Sequence, residues 1–269
     1  MRPSARTRSD EAVDQWKVTV RRMASPLPRY EEAELGAASA IWGNVLFPLT
    51  NHAFLDRQLS HLHDVEAVSD GVSSFASSRD CPWMFAMVEP WLPAGAAEVL
   101  RAHNLEPAMH VTYMTADELE PPSRPEPSLQ YTLIDTEERA RIALDMNCEC
   151  YGMPIDLGRS ALAGGAMWMK DAYGYLAYND GVPVSTATVL NGGDCVNAIC
   201  VATPAEHQRK GYAEAVLRHS LAEARQATGF QRMVLHATDA GYPIYKRMGF
   251  KPVVSMMIWA PAHAEETDC

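Results

Sequence analysis

A proline-rich segment near the middle of the chain constrains its folding more than any other feature. Residues 121–128 read PPSRPEPS and contain four prolines and no other apolar side chain. Because proline lacks a backbone N–H and has a fixed φ angle, such a segment neither continues a helix nor lies in the centre of a sheet. We therefore predict a linker over residues 121–128 that divides the chain into two halves.

The second half begins with a helix and continues with a change to strand periodicity. Asp135 followed by Glu138 resembles a capping box, and apolar residues at helical spacing follow it. From Tyr173 the pattern alternates with a period of two over residues 173–178, 182–190 and 195–202, with glycine-containing turns between the runs. This arrangement predicts three antiparallel strands joined by short turns.

A polar loop and a second set of helices and strands follow this meander. Residues 206–211 are polar, and an amphipathic helix is predicted from Tyr212 to a C-cap at Gly229. The pattern then predicts a strand over 233–237, a short helix over 241–248 and a last strand over 253–259. The second half should therefore form a sheet flanked by helices.

A short segment of the first half resembles a segment near the end of the second half. Residues 100–107, LRAHNLEP, align with residues 245–252, YKRMGFKP, which lie 145 positions later, and an extended apolar run follows each. This similarity predicts two copies of one fold in tandem. The expected division is a flexible tail over 1–15, a first domain over 16–120, the linker, and a second domain over 129–262.

Composition excludes several classes of function. The chain has 34 acidic and 23 basic residues and a net charge of −11, which disfavours a nucleic-acid partner. No apolar run is long enough to cross a bilayer, so no membrane partner is expected. Six cysteines without a CxxC pair favour a reduced, cytoplasmic location and no metal site. The pair His61 and His63 is interpreted as surface or core-edge histidines rather than metal ligands.

The segment from Val201 to Ala213 carries the strongest chemical signal. A strand end, a polar loop and a helix start follow one another there, so unpaired backbone N–H groups and the positive end of the helix dipole point at one place. Gly211 permits a close backbone approach, and Arg209 and Lys210 add positive charge. The arrangement fits a phosphate or diphosphate, but it matches neither the P-loop nor the dinucleotide-binding pattern.

Two motifs in this half resemble one protein family. Residues 208–213, QRKGYA, match the Q/R-x-x-G-x-G/A signature of the GNAT superfamily of acyl-CoA N-acyltransferases, and residues 245–250 resemble its Tyr-x-x-x-Gly-Phe helix end. The resemblance covers residues 131–260. It implies an α/β (α+β) fold, with a mixed, largely antiparallel sheet flanked by helices. Two tandem GNAT-like domains are then expected, with a degenerate N-terminal copy.

The resemblance also implies how acetyl-CoA would bind. Its pantetheine would pair with the strand before the loop, and its diphosphate would lie on the amides of the loop. Asp239 is either the N-cap of the following helix or a contact of the cofactor. The predicted cofactor-binding residues are Ile199, Cys200, Val201, Ala202, Gln208, Arg209, Lys210, Gly211, Tyr212, Ala213 and Asp239.

The family pattern assigns some catalytic roles and leaves one open. Tyr245 matches the proton donor to the departing thiolate, and a backbone amide at Val201 or Ala202 would stabilise the oxyanion. The general base is not identified because the strand before the loop has no carboxylate. The candidates are Asp194, Glu149, His236 and a water held by Asn197. With Tyr245, Asn197 is taken as the second catalytic residue. An acylated Cys200 is disfavoured, since thiols in apolar strands usually pack.

The first half lacks the tyrosine and the loop that carry the resemblance in the second half. Leu100 replaces Tyr245, and no glycine-and-base loop occurs near residues 60–70, so this copy is predicted to be non-catalytic. Its aromatic residues either line an acceptor pocket or form a core: Trp42, Phe47, His52, Phe54 and Trp83.

We predict an N-acetyltransferase that acts on a small amine or a peptide N-terminus by direct attack in a ternary complex. The alternatives are a non-enzymatic acyl-CoA-binding module and a histidine-based metal protein. The sequence specifies neither the acceptor, the acyl chain nor the oligomeric state.

Overall fold

The computed structural model describes residues 7–122, 124–162 and 164–262, and it separates into two compact units. Among the described residues, the first unit comprises 7–111 with 254–262, and the second comprises 112–253. No helix in these ranges is long and apolar enough to cross a membrane. Each unit contains strands and helices of its own.

The first unit is formed mainly by the beginning of the chain. Its elements are α1 Arg8–Ala24, β1 Glu31–Leu35, β2 Ala38–Trp42, β3 Asn51–Leu55, α2 Leu62–Ser77, β4 Met84–Val88, α3 Ala96–Ala102 and the first part of β5 Leu105–Ala116, with short 3₁₀ turns at Pro48–Thr50 and Glu89–Trp91. Strands β1, β2 and β3 pair antiparallel, whereas β3 and β4 pair parallel.

The second unit contains the segments in which the motifs occur. Its elements are β6 Gln130–Leu133, α4 Glu137–Cys150, α5 Ile155–Leu162, α6 Ala166–Met169, β7 Ala172–Asn179, β8 Val182–Asn191, β9 Val196–Ala202, a 3₁₀ turn at Ala205–His207, α7 Tyr212–Thr228, β10 Met233–Thr238, α8 Tyr242–Arg247 and the start of β11 Lys251–Pro261. The strand order is β5, β10, β9, β8, β7, β6. Strands β6 to β9 pair antiparallel with their neighbours, and β9 pairs parallel with β10. This mixed, mostly antiparallel sheet with helices confirms the predicted fold class.

Helix α7 illustrates why the second unit holds together. Val216, Leu217 and Leu221 lie on one face of the helix and are at most 1% exposed in the core cluster against the sheet. Each such side chain contributes about 1.5–3 kcal/mol on burial. The helix ends at Gly229, which has a φ of +76° and donates to the carbonyl of Arg225 at 2.9 Å, as predicted for a glycine C-cap.

The two units share one order of elements. In each, a three-strand meander is followed by a helix, a strand parallel to the last meander strand, a short helix and a long strand. The aligned sequences fall on equivalent places, because Asn104 follows α3 with a φ of +60° and Gly249 follows α8 with a φ of +100°. This equivalence supports the predicted duplication.

Three predictions about the organisation of the chain require correction. Residues 8–15 are the first half of α1 rather than part of a tail, because Thr7 caps the helix and Glu11 to Val13 are buried; residues 1–6 lie outside the described ranges. The contacts divide at 111/112 and 253/254, within β5 and β11, rather than at the predicted linker. Helix α4 is capped by Thr136 and not by Asp135.

The division of β5 and β11 between the two units has a physical cause. Strand β11 leaves the second unit, and its residues Met256–Trp259 pair antiparallel with Val88–Phe85 of β4 in the first unit. Strands of 11 or 12 residues, such as β11 and β5, are long enough to belong to two cores. The described residues of 121–128 have no helix or strand, as expected for a linker.

Candidate functional site

Strand β9 separates from its neighbour within the second unit. It pairs with β10 over Val196 to Ala198, which face Met233 to Leu235. Both strands continue, but in the described part of the chain Ile199–Ala202 have no register partner on β10. One edge of β9 therefore has no strand partner over four residues, and the backbone groups there that have no partner elsewhere in the protein are available to a ligand; the carbonyls of Val201 and Ala202 already accept from Tyr151 and Ser185.

A bulge lies in the same four residues. On the β8 side, Ile199 faces Thr188 and Ala202 faces Thr186, so Cys200 and Val201 together oppose the single residue Ala187. Cys200 has a φ of +50°, in the left-handed region that residues with a Cβ seldom occupy. Bulges of this kind redirect a strand, and they are enriched beside functional sites.

The loop after β9 presents an open helix N-terminus. Gly211 precedes α7 with a φ of +85° and has no side chain to cap the helix, so the first-turn N–H groups are directed outward. Arg209 also has a positive φ, of +63°. The side chains of Gln208 and Lys210 donate to the carbonyls of Thr203 and Glu206, both at 3.1 Å, and they brace the loop. A concave group of backbone donors beside two cations is suited to an anion.

The corresponding helix of the first unit has a different start. The Asp64 carboxylate accepts a hydrogen bond from the His61 backbone N–H at 3.1 Å at the beginning of α2. A carboxylate of the protein itself therefore closes the start of α2, whereas no described side chain caps the start of α7. This difference supports the prediction that the first copy is degenerate.

Two linker residues lie against the loop of residues 206–211, which we call the anion loop, and no sequence pattern predicted this. The Arg124 guanidinium donates to the carbonyl of Arg209 at 3.3 Å. Pro127 approaches Gly211, because its Cδ would lie 3.9 Å from a Cβ placed on that glycine. The linker thus lies along the loop on which the motif occurs.

Tyr245 extends from α8 and is 9% exposed. Burial raises the pKa of its hydroxyl to about 12, so the phenol keeps its proton at neutral pH. Within the described ranges its hydroxyl has no hydrogen-bond partner, and it is not one of the fully enclosed polar atoms. Its ring packs against Gly241, where an added Cβ would lie 2.8 Å from Cε2. The phenol is held firmly and keeps its donor available.

A second phenol, that of Tyr151, lies near Tyr245, and it was not predicted from the sequence. The Tyr151 hydroxyl, just after α4, donates to the carbonyl of Val201 in the bulge at 3.3 Å. Burial of the hydroxyl raises the pKa of Tyr151 well above its usual value, with further contributions from the nearby Tyr245 and Cys200. The contact joins residues 50 positions apart, and no local pattern indicates such a contact.

The remaining candidates for catalysis are less favourably placed. Burial raises the pKa of the Cys200 thiol to about 12, which disfavours a nucleophilic thiolate. Asn197 is 0% exposed, so it is not on an open surface. His236 packs on the Tyr113 ring at 5.0 Å between centroids. Asp194 lies before β9, about 20 Å of extended chain from Cys200 at roughly 3.3 Å per residue.

Asp239 and Glu149 complete the set of candidates. Asp239 is exposed but is not the N-cap of α8: that position is Gly241, whose N–H donates to the Thr238 hydroxyl at 3.4 Å. Glu149 is exposed at the end of α4, two residues before Tyr151. The structure therefore brings the bulge, the loop, Tyr245 and the end of α4 into one unit.

The aromatic residues of the first half, for which a pocket lining and a core were both open, are buried. The set is at most 9% exposed and comprises Trp42, Phe47, His52, Phe54 and Trp83. Leu100, which replaces Tyr245, is also fully buried. Apolar contact with neighbouring side chains accounts for their positions, so of the two alternatives the burial supports a core.

Comparison with known proteins identifies a family for much of the chain. Residues 118–250 match the model of the acetyltransferase (GNAT) family. A search of curated proteins gave no match.

Solved structures match most of the chain. A GCN5-related N-acetyltransferase from Kribbella flavida has a TM-score of 0.70 at 15% identity, covering 96% of this chain and 97% of that one. A tandem GNAT protein from the clavulanic acid biosynthesis pathway has a TM-score of 0.54 at 12% identity, covering 93% and 95%. A functionally unknown conserved protein from Staphylococcus epidermidis has a TM-score of 0.60 at 11% identity, covering 87% and 94%. At these identities the matches establish a shared fold.

Proposed function

Residues 118–250 of this chain belong to the acetyltransferase (GNAT) family, and we propose that the protein transfers an acetyl group from acetyl-CoA to a primary amine. The transfer proceeds by direct attack in a ternary complex. The observation that carries this proposal is the juxtaposition, within one unit, of an open strand edge at Ile199–Ala202, an uncapped helix start at Gly211 and a protonated phenol at Tyr245.

The residues present fit acetyl-CoA. The open edge of β9 offers backbone donors and acceptors to the two amides of pantetheine. The amides of Arg209 to Ala213 suit the diphosphate, whereas the N–H of Gln208 already bonds to the carbonyl of Ala205 at 3.3 Å; Arg209 and Lys210 supply compensating charge. The left-handed conformations at Arg209 and Gly211 turn successive N–H groups toward one side of the loop. Asp239 is exposed beside α8 and is retained as a candidate contact.

The bound donor supplies an activated acyl carbon: the amine nitrogen bonds to it, the carbon–sulfur bond breaks, and the sulfur takes a proton. Tyr245 is assigned as the source of that proton, because its raised pKa keeps it protonated. The backbone N–H of Val201 or Ala202 is assigned to the carbonyl oxygen as negative charge develops there. Pre-oriented backbone donors in the bulge need no reorganisation for this role.

The amine must lose a proton before or during attack. Of the candidate bases, we favour Glu149, because it is exposed at the end of α4 close to Tyr151. Asn197 is the alternative, and in that case a water on its amide would be the base. Replacing Glu149 by Gln should lower kcat/KM, whereas Asn197→Asp would add a charge in a buried strand and should lower stability instead.

Thiol release in the presence of an amine panel tests the function. The wild-type protein should bind acetyl-CoA, seen as a rise in melting temperature, and should release thiol only when an amine is present. Tyr245→Phe should keep acetyl-CoA affinity and lower kcat by about 100-fold or more. Tyr178→Phe, at the end of β7, is the matched control and should behave as wild type.

A non-enzymatic acyl-CoA-binding module is the alternative, and it is favoured by the absence of a carboxylate from β9, Val196–Ala202. That module would bind acetyl-CoA without releasing thiol with any amine in the panel. Equal turnover by Tyr245→Phe and wild type would exclude the assigned proton donor.

A further inference from the structure

Tyr151 carries an inference beyond the assignments above. Its hydroxyl lies on the bulge of β9, where it bonds to the carbonyl of Val201, and it is near Tyr245 and Cys200. Two phenols, one from the end of α4 and one from α8, therefore meet at the open edge of one strand. Tyr245 has an assigned role in the proposed reaction, whereas Tyr151 has none.

The direction of the hydrogen bond defines what Tyr151 can do. The Val201 carbonyl accepts only, so the proton of the Tyr151 hydroxyl is directed at it. Among the described residues no donor contacts the Tyr151 oxygen, so its lone pairs are available to a donor from outside the protein. An amine N–H is a donor of this kind. The fixed proton orients the lone pairs in advance.

The high pKa of Tyr151 excludes a role as general base. Because burial of the hydroxyl raises its pKa far above neutrality, the group is not a general base at physiological pH. It can accept a hydrogen bond and keep its own proton. This behaviour suits binding and orientation of the nucleophile rather than proton removal.

The surroundings of Tyr151 indicate the class of acceptor. Tyr151 is 45% exposed and Ile155, four residues later, is 37% exposed, so apolar surface lies beside the Tyr151 hydroxyl. Glu149 and Glu206 are exposed and lie close enough to Cys150 to raise the pKa of its thiol, after the larger effect of burial. An apolar surface flanked by carboxylates favours a cation with an apolar body.

We propose that Tyr151 binds the acceptor: its hydroxyl oxygen accepts a hydrogen bond from the attacking amine, while its ring and Ile155 contact an apolar body of that amine. The preferred acceptors are then monocationic amines with an aromatic or branched aliphatic group and no carboxylate. This inference rests on the proposed acetyl transfer.

Binding of small probes to the full-length protein saturated with coenzyme A tests the inference without turnover. Phenethylamine has the charge and the apolar body, phenylacetate has the ring with the opposite charge, and methylamine has the charge alone. Ligand-observed NMR titration should give phenethylamine a dissociation constant about tenfold lower than either of the others. Equal affinity for the three probes would overturn the assigned acceptor class.

Tyr151→Phe removes only the hydroxyl and tests the residue. It should weaken phenethylamine about fivefold, as expected for one hydrogen bond, with the coenzyme A affinity unchanged and the melting temperature slightly lower because the bond to the Val201 carbonyl is lost. In turnover it should raise KM for the amine and leave kcat within about twofold, whereas Tyr245→Phe should lower kcat. Tyr178→Phe is again the control.

The outcomes separate this inference from the proposed function. Unchanged phenethylamine affinity in Tyr151→Phe would overturn the acceptor role. So would a general loss, in which the coenzyme A affinity falls by the same factor as the amine affinity and the melting temperature falls as well. Either result would leave the acetyl transfer standing. A wild-type protein that binds coenzyme A but not phenethylamine would do the same. A wild-type protein that does not bind coenzyme A would overturn both.

Discussion

Two glycines at opposite ends of α7 provide a matched pair that tests the anion loop. Gly211 precedes the helix with a φ of +85°, and Gly229 follows it with a φ of +76°. Alanine at either position must adopt a left-handed conformation, which costs roughly 1–2 kcal/mol. Steric clash adds little, because among the described residues a Cβ on Gly211 would meet only Pro127, at 3.9 Å, and a Cβ on Gly229 would have no neighbour within 4 Å.

The two variants should therefore lose the same stability and differ in coenzyme A binding. After about 0.4–1 kcal/mol is regained from the less flexible unfolded chain, we expect each alanine to lower the free energy of unfolding by about 1 kcal/mol. Urea denaturation followed by circular dichroism measures this loss. Only Gly211→Ala places a methyl group in the loop where the diphosphate is proposed to lie.

Isothermal titration calorimetry with coenzyme A then distinguishes the two positions. Gly211→Ala should raise Kd about tenfold, equivalent to about 1.4 kcal/mol, while Gly229→Ala should match wild type. Equal affinities of the two variants would show that the ligand does not approach Gly211 closely. In that case the assignment of the diphosphate to this loop would be wrong, whatever the stability measurements gave.

Three further predictions concern the phenol and a buried histidine. Gly241→Ala should lower kcat without changing coenzyme A affinity, because its Cβ would lie 2.8 Å from the Tyr245 ring and displace it; steady-state kinetics with calorimetry checks this. Because the pKa of Tyr245 is about 12, deprotonation of Tyr245 should not lower the rate below about pH 11. A fall in rate at lower pH that is seen in wild type and not in Tyr245→Phe would show that the phenol loses its proton earlier, and would refute its role as proton donor. His52 is fully buried and its pKa falls from 6.5 to about 3, so the unfolded state binds more protons between these values and stability decreases as pH falls below 6.5. At about pH 5 the loss should be about 2 kcal/mol and should be absent from His52→Leu, measured by urea denaturation at each pH against the same variant.

Local sequence signals predicted the parts of the fold that depend on neighbouring residues. The alternation of the meander, the polar loop before Tyr212 and the glycine cap at Gly229 all specify structure within a few positions, and the structure contains each of them. The strand Gln130–Leu133 was missed because four residues give too short a pattern. Local signals therefore located the loop and the helices that carry Tyr245 and the motif.

Features that depend on distant pairing were not predictable in this way. The Tyr151–Val201 contact spans 50 positions, and the pairing of β11 with β4 spans more than 160. Tyrosine after a helix has no distinguishing spacing, and an apolar strand can pair with any matching edge. Such contacts are fixed by the complete packing of a unit, so they become visible only in the structure.

A structure of the protein bound to coenzyme A tests the central claim most directly. The account predicts that the diphosphate lies on the amides of residues 209–213, that pantetheine follows the open edge of Ile199–Ala202, and that the sulfur is within hydrogen-bonding distance of the Tyr245 hydroxyl, about 3–3.5 Å. A diphosphate bound elsewhere, or a sulfur remote from Tyr245, would contradict it.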